Sequence, residues 1–239
     1  MNASVERILA FGECIAGFSE PEPLIDQFQI LVQSLGFAQF IISGLPWEGF
    51  DFRHLMAGSN VPEDWLEVYV DNDYLRDDAI VRAALVNTAP FTWQAAKRKF
   101  AISARALEIA EGWEAHGCRD GITFPFLDPH NRMAVASIMT DRKVAIAPHL
   151  VIILQGIMPM VYDRFWQLEA GKREQLAQLS GREVEVLKLV SGGKRLHEIA
   201  AILNVSFSTV RHHLRSASEK LGGTSLPHTV AAAIFSRQI

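Results

Sequence analysis

The chain has 239 residues, 49% of them hydrophobic, and a formal net charge of −4 at pH 7. That length exceeds the usual size of one domain and suits a body of about 170 residues with a smaller module beside it. The apolar stretch at residues 150–161 is shorter than the roughly 18 residues that span a bilayer, so we expect a buried helix there and no membrane partner. Residues 1–13 contain two glutamates, which does not fit a secretory signal, and two cysteines predict neither a disulfide framework nor a metal cluster. We expect a cytoplasmic protein.

Apolar periodicity and turn residues predict both helices and strands in the first 170 residues. Taken in chain order, helices are predicted at residues 1–35, 64–69, 80–85, 103–116 and 148–170, and strands at residues 40–45, 52–57, 121–127 and 133–140. The turn at residues 128–131 would join the last two strands as a hairpin. This order predicts an α+β fold, an α-β-α sandwich with an antiparallel sheet.

Residues 196–221, which read LHEIAAILNVSFSTVRHHLRSASEKL, contain two segments of helical periodicity on either side of a short turn. The turn has the sequence Asn-Val-Ser, and both Ser206 and Ser208 are suitable N-caps for the second segment. Two helices joined by a tight turn, with exposed cations on the second, are typical of a DNA-binding helix-turn-helix. The predicted organisation is an N-terminal domain at residues 1–170, a polar linker at 171–175 and an all-α domain at 176–239.

The charges are distributed unevenly between the two predicted domains. Residues 173–239 hold nine Lys or Arg and five Asp or Glu, a net charge of +4, so residues 1–172 carry −8. A basic region on an acidic body is expected when only one domain meets phosphate. An ordinary helical domain with a solvated face would show similar charges, and it is the helix-turn-helix pattern that favours the DNA-binding interpretation.

Two sets of residues resemble a known family. The C-terminal set is Leu179–Glu183 (LSGRE), Leu187, Gly193, Glu198–Ala200 (EIA), Ser206, Thr209–Arg211 (TVR) and His213. The N-terminal set is Trp65, Tyr69, Asp78, Trp93 and Gly121. Types and spacings in both sets are similar to those of LuxR-type quorum-sensing transcriptional regulators, over nearly the whole chain. The chain departs from the family at Ala79, where a Pro is usual, and at Ser225–Leu226, where Asn-Arg is usual.

The resemblance implies an N-acyl homoserine lactone as the ligand. The Trp65 indole is only a donor and suits the lactone carbonyl, whereas the Asp78 carboxylate is only an acceptor and suits the amide N–H. Tyr69 and Trp93 would supply aromatic walls. The alternative is that the three aromatic residues are plain core residues and that Asp78 is a surface carboxylate.

The acyl group is less well defined by the resemblance. Val61 stands where family members that bind ordinary acyl chains usually carry a Tyr that donates to the amide carbonyl, and valine cannot donate. Ser137 matches a position where the family places Ser or Thr near the same carbonyl. The room left by Val61 suits a branched or aryl acyl group, or a reshaped pocket. Ser43, Leu55 and Val81 complete the predicted lining.

The resemblance also assigns the predicted DNA-binding residues. Arg211 and Arg215 lie four residues apart, hence on one helix face, and match positions that reach bases in the family. Arginine suits guanine O6 and N7, although both residues could contact phosphate instead. The other predicted contacts are Ser208, Thr209 and His212 on the second helix, and Lys194 and Arg195 for phosphate. The partners implied are double-stranded DNA, a second copy in a homodimer on a palindromic site, and RNA polymerase as a further candidate.

No enzyme motif competes with this interpretation. The sequence contains no G-x-S-x-G, H-E-x-x-H or C-x-x-C pattern, so we expect no catalytic residues, metal or cofactor. A lactone-processing enzyme fused to a DNA-binding module would need metal ligands or a triad. Two alternatives within the regulator class stay open: the chain folds without ligand, or it senses a small molecule other than a lactone.

Overall fold

The computed structural model describes residues 3–45, 55–129, 132–143, 146–173, 178–235 and 238–239. Its contacts divide the chain into two compact units, Met1–Glu169 and Ala170–Ile239. Each unit has a hydrophobic core of its own. In the described part of the chain, no helix is both long and apolar enough to cross a membrane.

The first unit combines helices with one antiparallel sheet. Its elements are α1 (Ala3–Cys14), α2 (Pro21–Ser34), β1 (Gln39–Gly44), β2 (Met56–Ser59), α3 (Glu63–Asp71), α4 (Ala79–Ala84), β3 (Phe91–Thr92), α5 (Trp93–Phe100), α6 (Ala104–Ala115), β4 (Asp120–Leu127), β5 (Met133–Thr140) and α7 (Pro148–Arg173), which continues past the boundary. The sheet order is β2-β1-β5-β4-β3, and every neighbouring pair is antiparallel.

The sheet is covered by helices on both faces. Side chains alternate along each strand, so Phe40 and Ile42 of β1 pack in the core formed with α1, α2 and α7. Ile41 between them packs in a second core, which holds residues of α3, α4, α5 and α6. The predicted α-β-α sandwich with an antiparallel sheet is therefore confirmed.

Several element boundaries differ from the prediction. Where one helix was predicted at residues 1–35, the described residues form two, α1 and α2, because Pro21 starts α2 at a position where its missing N–H costs nothing. The second strand lies at Met56–Ser59 instead of residues 52–57, of which 52–54 lie outside the described residues. Helix α7 extends to Arg173, so residues 171–173 of the predicted linker are helical, while 174–175 lie outside the described residues. Residues 130–131 of the predicted turn also lie outside the described residues.

Helix α5 and strand β3 were not predicted from the sequence. The helix has only eight residues, and its last turn carries Lys97, Arg98 and Lys99. Two buried residues, Trp93 and Ala96, are too few to produce a visible apolar period. The sequence does contain an N-cap for this helix. The Thr92 hydroxyl accepts a hydrogen bond from the Ala95 amide at 3.3 Å.

After the end of α7, the described residues of the second unit form four helices. They are α8 (Gly181–Ser191), α9 (Leu196–Leu203), α10 (Phe207–Leu221) and α11 (Leu226–Phe235). Asn204 ends α9 in the left-handed conformation with φ of 52°, and the Ser206 hydroxyl caps α10 by accepting from the Thr209 amide at 3.1 Å. Ser225, which departs from the family pattern, still caps α11 because its hydroxyl accepts from the His228 amide at 3.3 Å.

A buried glutamate ties α8 to α10 in this unit. Glu183 Oε2 accepts hydrogen bonds from the Ser180 amide at 2.6 Å and from Lys220 Nζ at 2.8 Å. Its Oε1 accepts from the Ser216 hydroxyl at 2.7 Å. Burial would by itself raise the pKa of Glu183, but the bonds from Lys220, Ser216 and Ser180 outweigh it and lower the pKa to about 2.

This shift predicts how the second unit responds to acid. The pKa of Glu183 is about 2 in the folded chain and about 4.3 in an unfolded one. The carboxylate therefore stabilises the fold above roughly pH 4.3, and this contribution is lost as the pH falls toward 2. Glu183→Gln should cost about 1.5–3 kcal/mol at neutral pH and remove that part of the acid dependence.

Differential scanning calorimetry between pH 6 and pH 3 measures both effects. Glu219→Gln is the matched control, because Glu219 is an exposed carboxylate that pairs with Arg215 at 2.9 Å and contributes little. An acid dependence that is the same in the wild type and in Glu183→Gln would contradict the prediction.

Candidate functional site

The first unit contains a cavity between the sheet and helices α3 to α6. It is lined by Ile41, Ser43, Leu45, Tyr69, Leu75, Asp78, Ile80, Val81, Ala84, Trp93, Trp113, Thr123, Val135 and Ser137. The volume open to the centre of a water molecule is about 40 Å³, which is room for a few waters. An acylated lactone is much larger, so its binding requires side chains to move.

Six of the nine predicted ligand residues line this cavity: Ser43, Tyr69, Asp78, Val81, Trp93 and Ser137. Trp65 and Val61 are buried in the same core but are not part of the lining. Leu55 lies beside Gly44 of β1 and is not part of it either. The structure thus brings six of the predicted residues together around one cavity and places Trp65, Val61 and Leu55 outside its lining.

Asp78 is the central polar residue of the cavity, with an exposed fraction of only 3%. It is the N-cap of α4, and its Oδ1 accepts from the Ile80 amide at 2.6 Å. Its Oδ2 accepts from the Tyr69 hydroxyl at 2.8 Å and from Trp113 Nε1 at 2.9 Å. Burial raises the pKa of Asp78, and the bonds from Trp113, Ile80 and Tyr69 oppose that rise. Asp78 is thus a buried acceptor and not a surface carboxylate.

A second polar group lies on the sheet side of the cavity. Thr123 of β4 faces Ser137 of β5 across the ladder, and their hydroxyl oxygens are 2.7 Å apart. Trp93 Nε1 donates to Thr123 Oγ1 at 3.1 Å, which joins α5 to the sheet. The Ser43 hydroxyl donates to the Gly44 carbonyl at 2.5 Å. Thr123 was missed by the sequence analysis, although a lone Thr within the apolar run GITFPFL was a visible signal.

Trp65 is a buried donor without an acceptor. Its exposed fraction is 5%, and its Nε1 has no hydrogen-bond partner among the described residues. Its ring stacks on His116, with centroids 5.0 Å apart, and meets the edge of Trp113 at 5.6 Å. An unsatisfied buried donor costs stability, so Trp65 is available to an acceptor that reaches it.

Neither a cluster of metal ligands nor a reactive thiol is present near the cavity among the described residues. Among the described residues, no group of three or more His, Cys, Asp or Glu could hold a metal ion. Burial raises the pKa of the nearby Cys118 thiol to about 12, and its Sγ donates to Gln39 Oε1. A thiol with that pKa is not a nucleophile at neutral pH.

The second unit presents the predicted DNA-binding residues on α10 and at the start of α9. Arg211, His212 and Arg215 are exposed on α10. Ser208 and Thr209 lie in the first turn of α10, where both hydroxyls contact Ser206 Oγ at 2.7 Å. Lys194 and Arg195 are exposed directly before α9. Arg215 pairs with Glu219, whereas Arg211 has no ion-pair partner among the described residues.

Family comparisons cover both units. The model of the autoinducer binding domain matches residues 20–165, and the model of bacterial regulatory proteins of the luxR family matches residues 177–233. The chain belongs to the LuxR family. A LuxR-family member with both domains is a quorum-sensing transcriptional regulator and not an enzyme. Its autoinducer-binding domain implies a small-molecule ligand and no cofactor.

Individual relatives agree with this assignment. The chain is 26% identical to the quorum sensing-dependent transcriptional regulator RpaR of Rhodopseudomonas palustris, over 95% of this chain and 93% of RpaR. It is 24% identical to the transcriptional activator TraR of Rhizobium radiobacter, over 82% of this chain and 85% of TraR. The crystal structure of Escherichia coli SdiA shares the fold, with a TM-score of 0.69 and 20% identity over 95% of this chain and 94% of SdiA.

The contact between Trp65 and α6 yields a prediction about Gly112. A β-carbon on Gly112 would overlap the six-membered ring of Trp65. Replacing glycine by alanine inside a helix usually stabilises by about 0.5–1 kcal/mol, but Gly112→Ala should destabilise the first unit by about 1–3 kcal/mol because it overpacks the core. Urea unfolding followed by tryptophan fluorescence measures the change.

Gly156→Ala in α7 is the matched control. A β-carbon on Gly156 meets no other atom within 4 Å, so this variant should keep the usual helical gain. If both alanine variants stabilise the protein equally, the contact between Gly112 and Trp65 is not as tight as described.

Proposed function

We propose that this LuxR-family regulator binds an N-acyl homoserine lactone in the first-unit cavity and binds palindromic DNA as a homodimer. The observation that carries the ligand proposal is the buried Asp78 carboxylate in the cavity wall, with the unsatisfied Trp65 donor in the same core. A carboxylate can accept only from a donor such as an amide N–H, and an indole can donate only to an acceptor such as a lactone carbonyl.

The remaining lining suits an acyl or aryl tail. Leu45, Ala84 and Val135 form a small apolar cluster at one end of the cavity. The hydroxyls of Ser137 and Thr123 supply donors for an amide carbonyl beside it. Because Val61 does not line the cavity, its small size does not by itself define the acyl group. SdiA, which shares the fold with a TM-score of 0.70 and 19% identity over 98% of this chain and 95% of SdiA, has been solved in complex with octanoyl-rac-glycerol.

A head-group prediction tests this proposal. Asp78→Asn should weaken lactone binding by about 1.5–3 kcal/mol, because a charge-assisted hydrogen bond to the amide N–H is lost. Asp77→Asn is the matched control, since Asp77 is half exposed and pairs with Arg105 at 2.9 Å. A lactone-responsive reporter and mass spectrometry of ligand retained after purification measure the effect. Wild-type sensitivity of Asp78→Asn would rule out the proposed head-group site.

A second candidate is a regulator that folds without ligand or senses another small molecule. The observation that favours it is that Tyr69, Trp113 and the Ile80 amide together supply the buried Asp78 carboxylate with three hydrogen bonds. Protein produced without lactone separates the two cases. Aggregation without lactone and recovery with it support ligand-dependent folding, whereas soluble protein that binds DNA with no ligand supports the second candidate.

The DNA part of the proposal rests on the exposed cations of α10. Helix-turn-helix proteins place the early turns of their second helix against base edges, and dimers bind half-sites one helical turn apart. Arg211, which is exposed and unpaired among the described residues, would read a guanine, and Arg215 would do so on leaving Glu219. Lys194 and Arg195 would contact phosphate. RNA polymerase is a further candidate partner of the bound dimer.

Two variants separate base reading from phosphate contact. Arg211→Ala should cost about 1–3 kcal/mol on a selected palindromic site and relax the preference at one base pair per half-site. Lys194→Ala should weaken binding to every sequence alike and lower the salt slope by about one. Titrations against the selected and a scrambled site at several salt concentrations measure both. If Arg211→Ala loses the same binding free energy on both DNAs, Arg211 contacts the phosphate backbone and does not read a base.

A further inference from the structure

Trp113 of α6 occupies the space among the residues assigned to the ligand head group. Its ring centroid lies 5.6 Å from that of Trp65, 5.3 Å from that of Tyr69 and 5.6 Å from that of Trp93. Its indole Nε1 donates to Asp78 Oδ2. Trp113 therefore contacts every residue of the proposed head-group site: the donor Trp65, the acceptor Asp78 and the aromatic walls Tyr69 and Trp93.

Both oxygens of the Asp78 carboxylate accept hydrogen bonds from the chain. Tyr69 and Trp113 donate to Oδ2, and the Ile80 backbone amide donates to Oδ1. Of the roughly four lone-pair sites of a carboxylate, the two on Oδ2 are therefore taken by side chains. An amide N–H from a ligand can reach Oδ2 only if the Tyr69 hydroxyl or the Trp113 indole leaves.

We propose that Trp113 is an internal substitute for the ligand head group and thereby a specificity-determining residue. In the ligand-free protein its indole satisfies Asp78 and fills the head-group space. It excludes a homoserine lactone ring until the indole moves away. The inference deepens the proposed function, on which it rests for the identity of the head group.

Two consequences follow from an occupied head-group site. The ligand-free fold gains a filled core and a satisfied carboxylate, so it is more stable than the same fold with a small residue at position 113. The apparent affinity for a lactone is reduced by the fraction of molecules in which the indole has moved. A ligand with an apolar tail but no head group does not compete with the indole for Asp78, because it needs only the apolar part of the cavity lined by Leu45, Ala84 and Val135.

The test uses two substitutions in the full-length protein. Trp113→Ala opens the space, and Trp113→Phe removes the donor while it keeps an aromatic ring there. Equilibrium binding is measured with N-octanoyl homoserine lactone and, as a probe without the head group, octanoate. Trp166→Phe in α7 controls for the loss of a tryptophan, since Trp166 packs on Tyr162 and Phe165 and does not line the cavity.

We expect Trp113→Ala to bind the lactone about tenfold more tightly than the wild type, or better, with octanoate binding unchanged and a lower ligand-free melting temperature. Trp166→Phe should not change lactone affinity. If Trp113→Ala binds the lactone no more tightly than the wild type does, the inference is overturned. If the wild type binds no lactone and Trp113→Ala does, the inference stands and the proposed function fails.

Trp113→Phe keeps the inference testable if the alanine variant does not fold. Its ligand-free melting temperature should fall because Asp78 loses a donor. In an Asp78→Asn background the same substitution should cause a much smaller fall, since the two residues act through one hydrogen bond. An equal fall in both backgrounds would show that Trp113 only fills space and would overturn the proposed role.

Discussion

The first unit depends on keeping one buried carboxylate supplied with hydrogen bonds. A charge in the core is tolerated only where donors replace the lost water. The donors to Asp78 come from three helices: Tyr69 of α3, the Ile80 backbone amide of α4 and Trp113 of α6. The bonds that satisfy the carboxylate therefore also hold together the helices that enclose the cavity. Under the proposed function, a ligand that binds Asp78 would enter this network.

The sheet forms the wall of the cavity opposite these helices. In the antiparallel register, Ser137 of β5 lies between Ile41 of β1 and Thr123 of β4. Main-chain hydrogen bonds on both sides of β5 fix that row, so the two hydroxyls stand at a constant place in the cavity. The sheet thus positions the polar side chains on its side of the cavity, and the helices supply the side chains opposite them.

The second unit also contains a buried carboxylate that accepts hydrogen bonds from the chain. Glu183 is buried, and its donors are Ser180 before α8, and Ser216 and Lys220 on α10. This network joins the first helix of the unit to the helix that carries Arg211 and Arg215. The base-reading surface proposed for α10 is therefore held by contacts inside the second unit.

Local patterns in the sequence determined the element types, the helix-turn-helix and the spacing of the five residues typical of the family. They did so because periodicity, caps and turns act over a few residues, and strand β5 was predicted with its observed bounds. Helix α5 was not predicted because its eight residues show too little apolar periodicity. Only the tertiary structure showed that Trp113 lies among the residues predicted to bind the ligand and that Trp65 is not part of the cavity lining. Periodicity shows that a side chain points into the core, but which neighbour it meets depends on how α6 packs against α3 and α4, through contacts between residues 35 positions apart.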